Sequence, residues 1–224
     1  MTFSIIARDP GSAAFGVAVS TAVPCVGAIV PHAKSGVGAI ATQSYANVAL
    51  GREGLRLLEL GLSPRAALEG LLAEDVGAHL RQVAGIDAKG RTFAYSGKDC
   101  VDWYGSREGQ DYSVQGNMLV GQATVDAMAE AFEGSAGKWL GLRLMAALEA
   151  GQAAGGDKRG RQSAALLVTP MVIGTGAELD FDPRRYEMNV RVDDHAQPVA
   201  ELRRIFDLIL DEGRRAAATP ASTA

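Results

Sequence analysis

Three short runs in the first 44 residues, "FGVAVST", "VGAIVP" and "GVGAIATQS", are dominated by small and β-branched apolar side chains. Each is apolar on both parities and bounded by Pro, Gly or Ser. Such runs suit strands buried on both faces, and their small side chains let the covering layers approach closely. The opening "MTFSIIARDP" adds a strand from Thr2 to about Ala7, reversed by Asp9-Pro10-Gly11. Strands therefore arrive as a group before any helix. That order is not β-α-β-α alternation, and it argues against a doubly wound nucleotide-binding sheet.

Helices follow in pairs. "NVALGREGLRLLELG" ends at Gly61, a natural residue just past a helix, and "SPRAALEGLLAED" opens with Ser63 as cap and Pro64 at the first helical position. Strands return in "RQVAGIDAKGRTFAYSG", with a hairpin turn at Ala88-Lys89-Gly90. The stretch from Lys98 to Gln115 has no assignment from its pattern. "VDAMAEAFE" and "KWLGLRLMAALEAGQ" read as a second helix pair, "SAALLVTP" and "RRYEMNVRVD" as strands, and "PVAELRRIFDLILDEG" as an amphipathic helix. The pattern predicts an α+β chain folded as a four-layer αββα sandwich. One domain spans 1–213, and 214–224 is a small, polar, flexible tail.

Hydrophobic residues make up 47% of the 224 and charged residues 21%, enough for a core without staples. The net charge of −4 does not suit a dedicated nucleic-acid surface. Cys25 and Cys100 have neither metal spacing nor a disulfide framework, which fits a reduced cytoplasmic compartment. No basic-then-apolar leader and no run of membrane-spanning length is read.

Several residues are candidates for chemistry. Removal of Met1 would give Thr2 both a hydroxyl and a free α-amine, so that nucleophile and base share one residue; a threonine that merely begins a strand fits the same letters. "AGGDKRGRQSAALLV" breaks a helix with two glycines and loads Asp157, Lys158, Arg159, Arg161 and Gln162 at a strand mouth. There they would hold an anionic ligand or orient an amine, or form ion pairs on a solvated loop. "ATQSYAN" sets Thr42, Gln43, Ser44 and Asn47 at a strand-to-helix junction. Asp193, Asp194 and His195 precede a helix, where acidic residues favour its dipole more readily than they form a metal site. His32 reads as structural. No metal is expected, since no second ligand cluster is evident, and no cofactor is expected; the Gly-rich segments match no phosphate-binding loop.

Taken together, "MTFSIIARDP", "GVGAIATQS", "SVQGNMLVG", "GGDKRGRQSAALLV" and "RVDDHAQPVAELRR" resemble a bacterial domain-of-unknown-function family of the Ntn-hydrolase superfamily, over residues 2 to about 214. The resemblance implies a fold related to proteasome β subunits and places the N-terminal nucleophile on Thr2. The acidic and lysine positions of proteasome subunits fall on Ser20 and Cys25, which carry no matching charge. Lys34 lies a strand later, and Asp157 is the counterpart of the acidic loop. The resulting expectation is an amide hydrolase acting on a small-molecule or peptide-like substrate. Thr2 is the nucleophile, Asp157 orients its amine, and backbone amides near Gln43 and Ser44 stabilise the oxyanion. Asn117, Arg159, Arg161 and Gln162 contact the substrate. The alternatives are a non-catalytic binder of a small anionic metabolite and an oligomeric assembly protein; a homo-oligomer is expected, with no membrane or nucleic-acid partner.

Overall fold

The computed structural model describes residues 2–170 and 187–218, with side chains to 212. Its strands are β1 (Thr2–Asp9), β2 (Ala14–Thr21), β3 (Pro31–Lys34), β4 (Gly38–Ser44), β5 (Arg81–Asp87), β6 (Thr92–Ser96), β7 (Gly105–Gly109), β8 (Tyr112–Asn117), β9 (Ser163–Val168) and β10 (Met188–Val192). Its helices are α1 (Val48–Glu59), α2 (Pro64–Glu74), α3 (Ala123–Gly134), α4 (Leu140–Ala153) and α5 (Pro198–Ala218). The strands form two antiparallel sheets. One has six strands in the order β10-β9-β2-β1-β8-β7, and the other four, in the order β3-β4-β5-β6.

Strand alternation decides what each face of β1 meets. Phe3, Ile5 and Ala7 point to one side, into a core with Met128, Phe132, Leu144 and Leu148 of α3 and α4. Ile6 points to the other side and packs with Phe15, Val17, Ala39, Ala41, Ala84 and Ile86, so the two sheets meet there. The outer face of the four-stranded sheet, at Ile40, Val83 and Phe93, is covered by Leu50, Leu58, Leu68 and Leu72 of α1 and α2. Val199, Leu202 and Phe206 of α5 pack with Met188, Val190 and Val192 of β10.

Local chemistry sets the helix ends. Asn47 caps α1 by accepting from the Ala49 amide, and Ser63 caps α2 by accepting from the Ala66 amide. Past α1, Gly61 sits at φ 94°, its amide bonds to Leu58 O, and the Leu62 amide bonds to Leu57 O. That pair of bonds closes a helix on a left-handed residue, where glycine has no Cβ to clash.

Two expectations change, and one unassigned stretch gains its structure. "VGAIVP" is not a strand: Val26–Ala28 form a single 3-10 turn after Cys25, which takes a left-handed φ of 60°. The Cys25 amide bonds to Asp193 O, and Gly27 packs so closely on Ala165 and Arg191 that a Cβ would lie 2.8 Å from each. The segment covers the end of β9 instead of pairing, and β3 starts only at Pro31. The unassigned stretch from Lys98 to Gln115 holds β7 and most of β8, a hairpin reversed near Asp111 at φ 65°. The amphipathic helix read as "PVAELRRIFDLILDEG", ending at Gly213, continues as α5 to Ala218. Residues 184–186 of the expected strand "RRYEMNVRVD" and 219–224 of the expected tail lie outside the described residues.

Candidate functional site

Thr2 opens β1, and β1 lies between β2 and β8 near the middle of the six-stranded sheet, where Thr2 pairs with Thr21 on one side and Asn117 on the other. Directly paired residues in a sheet project to the same face. Thr2, Thr21 and Asn117 therefore share the face that looks toward the four-stranded sheet, as do Ser4 and its partner Gln115. The Thr2 hydroxyl is buried and donates to the Thr21 hydroxyl at 3.2 Å.

The layer between the sheets changes character along its length. Its far part is the apolar cluster around Ile6 and Val17; the part below Thr2 is polar and equally buried. There the Ser113 hydroxyl donates to Gln115 Oε1, Gln115 Nε2 to Ser4 Oγ, and Ser4 Oγ to Gln43 Oε1. Gln43 Nε2 and Asn117 Nδ2 both donate to Gln82 Oε1, at 2.8 and 3.0 Å. Gln82 Nε2 in turn donates to Gly116 O at 2.8 Å and to Ser96 Oγ at 2.9 Å. Burying this many amides is tolerable only because nearly every donor and acceptor is used.

The glycine-broken loop arrives at the same end. Asp157 forms a bridge with Leu119, and its Oδ2 accepts from the Ala22 amide at 3.0 Å, one residue beyond Thr21. Oδ1 accepts from the Arg159 amide at 2.8 Å, and the Arg159 guanidinium lies 3.5 Å from Oδ2. The Asp157 side chain is 1% exposed and that of Arg159 41%, so a buried carboxylate carries a cation at the surface above it. The Gln162 amide donates to Thr21 O. Neighbouring loops expose the apolar side chains of Val23, Tyr45, Val101 and Val120.

Of the residues singled out in the sequence, the structure brings Thr2, Gln43, Asn117 and Asp157 to this end. Gln43 and Asn117 have their amides inside the inter-sheet network. Ser44 follows Gln43 at φ 68°, and the nearby Cys100 thiol, which donates to Leu80 O and Arg81 O, has its pKa pushed up by burial. Arg161 and the Gln162 side chain turn away toward the start of α5, where they bond to Gln197 and Asp194. With Glu149, Gln152 and Pro198, Arg161 lines a separate open cavity of about 270 Å³. Asn47 is a helix cap and also donates to Asp75. Lys34 pairs with Glu59. Ser20 Oγ donates to Ser163 O, and Cys25 is exposed.

His32 packs on Gly51 of α1, near enough that a Cβ there would lie 2.3 Å from Nδ1, and burial lowers its pKa. Around His195, Asp193 chelates Arg191, and His195 Nδ1 accepts from the Gln197 amide ahead of α5. Among the described residues, no group of three His, Cys, Asp or Glu side chains is arranged to hold a metal ion. Nor is any of their helices long and apolar enough to cross a membrane.

The sequence reading passed over Ser4, Thr21, Gln82 and Gln115. The signal was there as parity: Thr2 and Ser4 on β1, and Ser113, Gln115 and Asn117 on β8, are polar at alternate positions of strands buried on both faces.

A model of a family of unknown function, DUF1028, matches residues 2–202 of the chain. The chain belongs to the DUF1028 family. A crystal structure of a DUF1028 protein from Silicibacter pomeroyi is 30% identical and superposes with a TM-score of 0.81, covering 98% of this chain and 94% of that one. Anbu (ancestral beta-subunit) from Yersinia bercovieri is 10% identical with a TM-score of 0.41, covering 99% of this chain and 100% of that one. No protein of curated function matches the sequence.

Proposed function

We propose that this DUF1028 protein is an Ntn-type amide hydrolase with a four-layer αββα fold, its nucleophile Thr2 made N-terminal by removal of Met1. The observation that carries the reading is the placement of Thr2: first residue of a central strand, flanked on both sides, its hydroxyl against that of Thr21 at the polar end of the inter-sheet layer. A residue fixed by the burial of Phe3 and Ile5 is held in the manner that near-attack geometry requires.

In the proposed reaction the α-amine takes the hydroxyl proton as Thr2 Oγ1 attacks the amide carbon. Backbone amides near Gln43 and Ser44 stabilise the oxyanion. The amine then gives its proton to the leaving nitrogen, and an ester links the acyl group to Thr2. Water, deprotonated by the same amine, cleaves that ester to the free acid and restores the hydroxyl. Asp157 supports the ammonium form of the amine from behind Ala22. Arg159, with its head at the surface, meets an anionic group of the substrate, whereas Arg161 and the Gln162 side chain, bonded to Gln197 and Asp194, take no part at this end. The apolar rim of Val23, Tyr45, Val101 and Val120 suits a substrate whose acyl side is apolar.

Intact mass of the untagged protein tests the reading, followed by labelling with a β-lactone electrophile mapped by peptide sequencing. Loss of Met1 and a label on Thr2 that vanishes in Thr2→Ala are expected. Retained Met1, or labelling that survives Thr2→Ala, overturns it.

A further inference from the structure

Within the inter-sheet network the direction of every hydrogen bond follows from one anchor. Gly116 O is a backbone carbonyl and only accepts, so Gln82 must present Nε2 to it. Gln82 Oε1 therefore faces Gln43 and Asn117, and both must donate to it. Asn117 is thereby oriented: its Nδ2 is committed to the opposite sheet, and its Oδ1 is left over.

That oxygen is buried and has no hydrogen-bond partner among the described residues, although Asn117 is 0% exposed. A buried acceptor left empty costs about 1–3 kcal/mol, and the rest of the network shows how readily this layer supplies donors. Asn117 pairs directly with Thr2, and Cβ atoms so paired lie about 4.5–5.5 Å apart on one face. A donor that exists only after processing would fill the vacancy.

We propose that Asn117 Oδ1 accepts a hydrogen bond from the free α-amino group of Thr2, making Asn117 a positioning residue for the amine. The inference rests on Thr2 being N-terminal, as in the reading above. Oδ1 holds the amine on the side of Thr2 opposite Thr21 and leaves the Thr2 hydroxyl free to rotate toward a bound carbonyl. Gln82 and Gln43 act through Asn117, by denying its amide the flipped orientation. An acceptor bonds the ammonium more strongly than the neutral amine, so Asn117 raises the pKa of the amine it holds.

The test titrates that amine directly. Full-length protein is released from an N-terminal fusion by a protease that leaves Thr2 first, labelled with ¹³C,¹⁵N-threonine, and followed by NMR against pH. Asn117→Ala should lower the α-amine pKa by about 0.5–1 unit. Asn117→Asp, nearly isosteric but with an oxygen in place of the Nδ2 that donates to Gln82 Oε1, should raise it by more than about one unit. Ser113→Ala, at the far end of the network, should leave it unchanged. Opposite shifts in the two Asn117 variants support the proposal, since a merely structural asparagine would not produce them. An unchanged pKa in the folded variants, or the same shift in Ser113→Ala, overturns it. The readout needs neither natural removal of Met1 nor turnover, so its failure leaves the hydrolase reading standing, and failure of that reading leaves this result interpretable.

Discussion

Asn117 on β8 and Gln82 on β5 are tied across the two sheets by a 3.0 Å hydrogen bond from Asn117 Nδ2 to Gln82 Oε1. Gln82 also accepts from Gln43 and donates to Gly116 O and Ser96 Oγ, so its amide is used on both sides. Gln82→Leu would leave the amides of Gln43 and Asn117 without their shared acceptor and Gly116 O without that donor. The expected loss is on the order of 3 kcal/mol in denaturant unfolding, because several buried groups lose partners at once. Ser96→Ala removes one acceptor while Gln82 Nε2 keeps Gly116 O, and should cost under about 1 kcal/mol. Equal losses in the two variants would show that the amides do not act as a unit.

Asp157 holds the glycine-broken loop to the end of β2 through the Ala22 amide and to itself through the Arg159 amide. Asp157→Asn keeps an acceptor but loses the charge facing Arg159, whereas Asp157→Ala takes the carboxylate acceptor away from both amides. Stability should fall from wild type to Asn to Ala, with Ala lower by about 2 kcal/mol. Electrophile labelling at Thr2 should slow by about tenfold or more in Asn, whose stability loss is smaller, if the carboxylate supports the amine. Wild-type labelling in Asp157→Asn would reduce Asp157 to a loop anchor.

Much of this arrangement is legible from the residues themselves. The apolar runs around β2 and β4, the caps Ser63 and Gly61, and the loop at Gly155-Gly156 follow from local chemistry that tertiary packing does not override. What escaped was polar burial. Ser113 and Gln115 lie in the stretch that has no assignment from its pattern, because polarity at alternate positions normally marks an exposed face, yet here it faces a second sheet carrying Gln43 and Gln82. Nothing within β8 announces that partner; only pairing across some 35 and 70 residues supplies it. Asn117 was legible as a candidate through the motif around it, while Gln82, which orients it, was not. The run at Val26 failed for the opposite reason: its composition suits a strand, but the left-handed Cys25 and the close packing of Gly27 commit it to a turn.

Gly51 faces the His32 imidazole across the α1–β3 contact, with no room for a methyl group. In an ordinary helix interior Gly→Ala stabilises by about 1 kcal/mol. Here the new Cβ would fall 2.3 Å from His32 Nδ1, and overpacking of that kind costs about 1–3 kcal/mol. Gly51→Ala should therefore destabilise wild type but stabilise a His32→Ala background. The sign change, read from thermal unfolding of the four proteins in a double-mutant cycle, is the expected outcome. A Gly51→Ala that stabilises both backgrounds would mean that the imidazole moves aside freely.

Asp75 gathers the segments behind Ser44. Its carboxylate accepts from Arg81 Nε at 3.0 Å, Asn47 Nδ2 at 2.9 Å and the Gly77 amide at 2.9 Å, while Arg81 Nη1 donates to Tyr45 O. The Arg81 hydrogen bonds, aided by those from Asn47 and Gly77, hold its carboxyl down at about 2 against burial, which pushes the other way. The unfolded chain releases the same proton near ~3.9. Because the folded value is the lower one, the carboxylate's contribution is fully present above roughly pH 5. It drains away as pH falls through about 4 toward the folded value of about 2. Asp75→Asn should therefore lie below wild type by a constant amount at neutral pH, with the gap narrowing across that acid window. Urea unfolding from pH 7 to pH 2.5 reads the gap directly. The Tyr45 amide, bonded to Leu80 O beside this cluster, should lose hydrogen-exchange protection over the same window, since protonation of Asp75 releases Arg81 and with it the turn that follows Ser44. A gap that stays constant down to pH 2.5 would place the acid sensitivity of this turn on some other carboxylate.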